Sequence, residues 1–250
     1  MKSILITLFM CIAISAMADT TFVKGNVLLQ GNYTSGNFNT YTIGTKADIR
    51  YVRNKSVFEA VGNFKYTKIG YITNNNTDSF LTKENEKYID VSYSRFLTKR
   101  LKIITFSEVE RSFLRKIDIR YNLGVGAGYK FINTKTTYFD ISEVILPEVV
   151  IYNSDKYNLT SLRYSTRVKF IYGFGSVHIS NITLFQPSVW NSRGIEYSEN
   201  INIRSITTFD VNIYKSLSIG ILDEYILQKY NPLKKRAYDN SMTFYLKLNF

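Results

Sequence analysis

Residues 118–131 alternate without interruption. Ile119, Tyr121, Leu123, Val125, Ala127, Tyr129 and Phe131 fall on one face; Asp118, Arg120, Asn122, Gly124, Gly126, Gly128 and Lys130 fall on the other. A period of two belongs to a β-strand whose faces meet different surroundings. The run is longer than the roughly 9–11 residues that a tilted strand needs to cross a bilayer. In a barrel the apolar face meets lipid and the polar face the interior, where the three glycines leave room or permit a sharp bend. They are no dinucleotide fingerprint, because that motif sits at a strand-to-helix turn and these lie within a strand.

The same grammar recurs along the chain. Tyr41, Ile43, Thr45, Ala47, Ile49 and Tyr51 oppose Lys46, Asp48 and Arg50; Phe58, Ala60, Phe64 and Tyr66 oppose Glu59, Asn63 and Lys65. Leu162, Tyr164, Val168, Phe170 and Tyr172 oppose Arg163, Arg167 and Lys169. Short turns are expected from Arg53, Thr98, Asn133, Gly173 and Tyr214. Connections near Ile72–Asn85, Phe113–Lys116, Asn153–Asn158, Trp190–Gly194 and Tyr230–Ala237 are mostly longer. Short and long connections that alternate are what a transmembrane barrel has and a soluble sandwich does not need. The pattern breaks at Glu143–Pro147, where a bulge is expected, and shifts phase near Ile182 and Pro187. These readings predict an all-β chain: one transmembrane, antiparallel, up-and-down β-barrel of about twelve strands.

Both ends fit. Met242, Phe244, Leu246, Leu248 and Phe250 alternate with Thr243, Tyr245, Lys247 and Asn249. An apolar last strand suits a barrel, where it pairs with the first and abolishes the edge. Its pattern resembles the C-terminal strand of bacterial outer-membrane barrels, which implies that Phe244, Leu246, Leu248 and Phe250 form the signal read by the barrel-assembly machinery. Residues 1–18 read as a secretory signal peptide: a basic start, the apolar run Ile4–Ile14, then Ala16-Met17-Ala18. Residues 19–250 are then the barrel domain. The only cysteine, Cys11, leaves with the signal, so no disulfide or thiolate metal site is expected. No other stretch is long and apolar enough for a membrane-crossing helix. With 20 Tyr and 17 Phe beside 3 Pro, and a mean hydropathy of −0.12, the composition is that of alternating lipid-facing and lumen-facing residues.

The formal charge of +12 implies attraction to anionic surfaces. An exported chain rarely meets nucleic acid; outer-membrane lipid and phosphorylated glycolipid are the nearer partners. By strand phase, Lys46, Arg50, Lys65, Arg120, Lys130, Arg163, Arg167 and Lys169 face the lumen, with Asp48, Glu59, Asp90 and Asp118 among the acids. Such a mixture closes a narrow lumen by pairing across it, or favours anions if the lumen stays open. In the connection before the last strand, Lys234, Lys235 and Arg236 are candidates for holding phosphate groups, against the plainer reading of a solvated charge run.

Catalytic signals are sparse. The lone His178 follows a tight turn and has no Ser or Asp at a spacing that singles out a triad. Glu108, Glu110 and Asp118 could gather for Ca²⁺ or acid–base work, but Arg111, Arg115 and Arg120 stand ready to pair with them. No enzyme activity and no cofactor are expected.

The order of features resembles the family of salt-induced outer-membrane proteins, a β-barrel family of unknown function. Gly31-Asn32-Tyr33-Thr34-Ser35-Gly36-Asn37, Phe96–Leu101, Asp118–Tyr129 and the ending Leu246-Lys247-Leu248-Asn249-Phe250 carry the resemblance; Glu143–Val150 and Trp190–Glu196 depart from it. It implies an outer-membrane barrel of a Gram-negative-type bacterium and no catalytic residues. The expected function is a narrow pore or a structural, envelope-response barrel. The alternatives are a barrel enzyme and a glycolipid-binding or adhesive surface barrel.

Overall fold

The alternating segments form twelve antiparallel strands, each paired with its neighbours in sequence, and the pairing of the last with the first closes the ring. The computed structural model describes residues 21–34, 38–72, 78–113, 115–153, 155–230 and 238–250. The strands are β1 (Thr21–Thr34), β2 (Phe38–Arg53), β3 (Ser56–Ile72), β4 (Asp78–Phe96), β5 (Leu101–Ser112) and β6 (Ile117–Asn133). They continue as β7 (Thr137–Tyr152), β8 (Leu159–Phe174), β9 (Val177–Asn191), β10 (Ile201–Tyr214), β11 (Leu217–Gln228) and β12 (Tyr238–Asn249). Residues 1–18, expected as the signal peptide, and Lys234, Lys235 and Arg236 lie outside the described residues.

All five connections expected to be tight are tight, and they share one end of the barrel with Thr21 and Phe250. Asn54 (φ 53°) and Gly175 (φ 58°) supply the left-handed backbone that two-residue hairpins demand. This is the turn end; the other is the loop end. Two 3-10 turns, Asp155–Tyr157 and Tyr197–Glu199, lie in loop-end connections.

The faces follow the phase of each strand. Leu123 is 63 % exposed and Asn122 is 6 % exposed, so the apolar row points away from the barrel. Ile43, Ile89, Val125, Ile145, Phe244 and Leu246 continue that exposed apolar surface around the wall. A surface of this extent needs an apolar solvent, which a bilayer provides. The ring closes where Phe250 and Gly25 exchange backbone hydrogen bonds of 2.9 and 3.0 Å. The Phe250 ring occupies the space that a Cβ on Gly25 would need, so a larger residue there would push the ring aside.

Four expectations are corrected. First, β7 carries no bulge at Glu143–Pro147. Its register against β8 is unbroken, and Val144 and Leu146 point inward as strictly as Glu148. The break in hydropathy is a change in what fills the lumen. Val144 packs with Phe106 into the space over Gly124, so the glycines accommodate bulky neighbours and leave no room. Second, the phase shift near Pro187 is a bulge at Val189, seen where β8 pairs with β9, but none occurs at Ile182, which faces inward. Third, β4 begins at Asp78, so the expected loop 72–85 is shorter, and β10 begins at Ile201 after a 3-10 turn. Fourth, Asp118 points outward. A register shift between Ile117 and Ile119 reverses the phase at the start of β6, burying Ile117 to 1 % and leaving Asp118 at the surface.

Candidate functional site

The lumen narrows toward the loop end because long charged side chains there reach one another. Glu148 on β7 is the centre. One oxygen takes the Nε of Arg163 at 2.6 Å and the Ser161 hydroxyl at 2.7 Å; the other lies 3.3 Å from Arg120 Nε. Arg120 also donates to Glu110 at 2.6 Å and, across to β11, to Gln228 at 3.1 Å. Gln228 in turn donates to the Tyr152 hydroxyl at 3.2 Å. Arg115, in the connection after β5, pairs with Glu110 from the other side. Arg163 spends its remaining donors on the backbone oxygens of Gln186 and Asn200 and on Asn200 Oδ1. Carboxylates and guanidiniums thus alternate along one buried chain, and the geometry answers the cost of removing each charge from water.

A second bridge spans the lumen more directly. Arg204 on β10 lies 4.5 Å from the ring centre of Tyr88 on β4, on the far side of the twelve-strand ring. Its guanidinium is held by Glu224 on β11, at 2.8 and 3.1 Å. Above these contacts Ile117, Val150, Tyr152 and Leu159 form an apolar cluster, against which Tyr157, Ile195 and Tyr230 of the loop-end connections pack. Side chains, not backbone, therefore occlude this part of the barrel.

Toward the turn end the balance changes. Arg50 pairs with Glu59 at 3.3 Å, Lys102 with Asp140 at 2.5 Å, and Lys247 with Asp210 at 3.1 Å. Lys130 lies over Phe96 and Lys169 over Tyr138. Among the described residues, Lys46, Arg167 and Lys169 here have no ion-pair partner, and neither has Lys65, which stands opposite Glu86 at the level of the Arg204–Tyr88 bridge. This half of the lumen is a vestibule with excess positive charge.

All eight basic residues expected in the lumen lie on inward-facing positions. The structure divides them: Arg120 and Arg163 belong to the loop-end chain, Lys65 lies level with the Arg204–Tyr88 bridge, and the other five line the vestibule. Phe244, Leu246, Leu248 and Phe250 form an outward apolar row. The carboxylate cluster does not assemble. Glu110 is buried between Arg115 and Arg120, Glu108 accepts from Asn122 at 2.8 Å, and Asp118 pairs with Arg111 at 3.1 Å on the surface. Among the described residues no group of His, Asp or Glu is placed to hold a metal. His178 Nε2 lies 3.2 Å from Asn212 Nδ2, and Asn212 accepts from Ser218, which makes a structural link near the turn end.

Sequence reasoning missed Glu148, Arg204, Glu224, Gln228 and Tyr88. Glu224 and Gln228 were within reach, since the in-phase apolar residues of β11 place them inward. Glu148 was hidden by the expected bulge. Arg204 lies in a strand whose outward face mixes Ile203 and Phe209 with Ser205 and Thr207, so no hydropathy contrast marks its phase.

Comparison with known proteins agrees on the fold. Residues 29–250 match the family described as "Protein of unknown function, DUF481". No curated protein matches the sequence. Among solved structures, the NanC porin superposes with a TM-score of 0.54 at 11 % identity, covering 89 % of this chain and 98 % of that one. The translocator domain of the autotransporter NalP from Neisseria meningitidis gives 0.45 at 7 % identity, over 100 % and 95 % of the two chains. The outer-membrane channel DcaP of Acinetobacter baumannii gives 0.40 at 8 %, over 92 % and 97 %.

Proposed function

The chain belongs to the DUF481 family, and on that premise we propose that it is a non-enzymatic outer-membrane barrel acting as a narrow, anion-preferring pore that is closed at rest. Tight turns in such barrels face the periplasm and longer loops face outward. The vestibule of Lys46, Arg167 and Lys169 then opens inward, and the paired arginines lie toward the outside. A signal peptide over residues 1–18 and recognition of the last strand by the assembly machinery belong to the same reading. So does an envelope role of the salt-induced type, which the motifs Gly31–Asn37 and Asp118–Tyr129 support by resemblance.

The observation that carries the proposal is the contact of Arg204 with Tyr88 across the lumen, placed directly above unpaired cations. Rings of basic side chains select anions, and side-chain constrictions set conductance. The competing enzyme reading would need a nucleophile or base with a partner at the loop end, and His178 is at the turn end bonded to an amide.

Single-channel recording in a planar bilayer tests the proposal. The mature wild-type protein gives rare, small openings whose reversal potential in a KCl gradient favours chloride. Arg204→Ala removes the bridge and raises the open fraction roughly tenfold with the anion preference retained. Openings of wild type and variant that are alike, or that favour potassium, would overturn it.

A further inference from the structure

A polar patch interrupts the apolar outward face of β9–β11. The alternation that sends Ser180, Ile182 and Leu184 inward sends Asn181 and Thr183 outward. On β10 it turns Ser205 and Thr207 out beside Phe209, and on β11 it turns Asp223 out beside Ile221. Inward-facing Leu222, packed with Leu28 and Tyr245, and Glu224, bonded to Arg204, fix the face of Asp223 from both sides. The register joins these residues into one patch: Asn181 pairs with Thr207, Thr207 with Asp223, and Thr183 with Ser205. All lie near the middle of their strands, the part that sits deepest in the bilayer. The wall across the barrel presents Ile43, Ile89, Leu123 and Val125 instead.

The patch is only partly satisfied by itself. Asn181 donates to Thr207 at 2.9 Å and to Ser205 at 3.2 Å, and Thr183 donates to Asn181 at 3.0 Å. Asp223 has no hydrogen-bond or ion-pair partner among the described residues; its row neighbours are Thr207 and Met242. Two other outward carboxylates are both engaged: Glu143 on β7 accepts from Thr166 at 2.9 Å, and Asp118 on β6 pairs with Arg111 at 3.1 Å. A carboxylate facing hydrocarbon with nothing to bind is costly, and such groups ordinarily meet a protein partner or water. On the turn-end side of the patch the wall is indented into an apolar groove of about 470 Å³ between Leu29, Phe209, Ile221 and Phe244.

We infer that this face is the interface with a second copy of the chain. The argument is complementarity under symmetry. Closed pairs in a membrane relate by a two-fold axis along the bilayer normal, which makes the contact isologous. An axis passing beside β10 sets β9 of one copy against β11 of the other. The Asn181 side of the patch then faces the acceptor-only carboxylate of Asp223, twice over, with Thr207, whose hydroxyl accepts from Asn181 and keeps a hydrogen to donate, next to the axis. The two Asp223 carboxylates lie on opposite sides of the axis and do not meet. The apolar groove adjoins the contact and lies open to side chains of the other copy. The inference rests on the transmembrane reading but not on conduction.

The test uses the mature chain in native membranes and then in lipid nanodiscs. Because the only cysteine of the sequence is Cys11, in the expected signal peptide, Thr207→Cys introduces a single thiol. Oxidation should give a covalent dimer, whereas Leu123→Cys on the far wall should stay monomeric. Asp223→Leu, and Asn181→Leu with Thr183→Leu, should each weaken dimerisation about tenfold on dilution into lipid while keeping heat-modifiable mobility, which reports the folded barrel. Monomeric wild type at every lipid ratio would overturn the inference. So would equal cross-linking from both cysteines, or capture by Thr207→Cys of a different protein alone. Loss of heat-modifiable mobility in the wild type would instead indict the membrane reading.

Discussion

Two stretches of the same lumen use the same residue types for opposite ends. Toward the loop end, Arg115, Glu110, Arg120, Glu148 and Arg163 form an unbroken chain in which each acid serves two bases. Toward the turn end, Lys46, Arg167 and Lys169 stand beside too few acids. The difference is one of geometry as well as number. The planar fork of arginine can serve two carboxylates at once, and all three bases of the outer chain are arginines. Two of the inner three are lysines, point charges on flexible stems that hold less and solvate more. Where the charges are matched the lumen is occluded; where they are unmatched it is left as an anion-attracting chamber.

The largest effect that would break this contrast is at Glu148, which is 1 % exposed. Glu148→Leu leaves Arg120 and Arg163 buried beside a lost partner and should cost about 3–5 kcal/mol. The check is urea-induced unfolding in vesicles, with Glu59→Gln as the comparison. Its partner Arg50 is about half exposed, so that loss should stay within about 1 kcal/mol. Equal losses would mean that the outer chain is no different from an ordinary surface pair.

Next in size is a change of selectivity with almost none of stability. Lys46→Glu with Lys169→Glu reverses the sign of the unpaired vestibule charge. The reversal potential should move toward cations, with the unfolding midpoint shifted by less than about 1 kcal/mol, because neither lysine holds an ion pair. An unchanged reversal potential would place the selective charges elsewhere. The smallest effect is at Asp118. Asp118→Asn breaks only its exposed pair with Arg111, both side chains more than half exposed, and should alter stability by about 0.5 kcal/mol or less. A larger loss would show that the phase reversal at Ile117 does not remove Asp118 from the lumen network.

Much of the fold was legible because a strand reports its own faces. Leu123 and Asn122 are adjacent in sequence and opposite in environment, and no other part of the chain is needed to see it. The same local logic located the five tight turns. It failed where one face does not contrast with the other. Val144 and Leu146 are apolar and inward, so β7 read as broken; Asn181, Thr183 and Asp223 are polar and outward, so β9 and β11 carried a mixed signal.

Alternation and turn spacing alone therefore determined that this chain closes into a barrel of about twelve strands and, wherever the two faces of a strand contrast, which residues point into it. Tertiary structure alone decided which charges meet. Arg204 and Tyr88 are separated by half the ring, and Arg120 reaches Gln228 on a strand more than a hundred residues later. Such partners are chosen by strand order, shear and the bulges at Ile117 and Val189, which set the height of each side chain once the sheet closes. A local period carries the side of a strand on which a residue lies; it carries nothing about what stands opposite across the lumen.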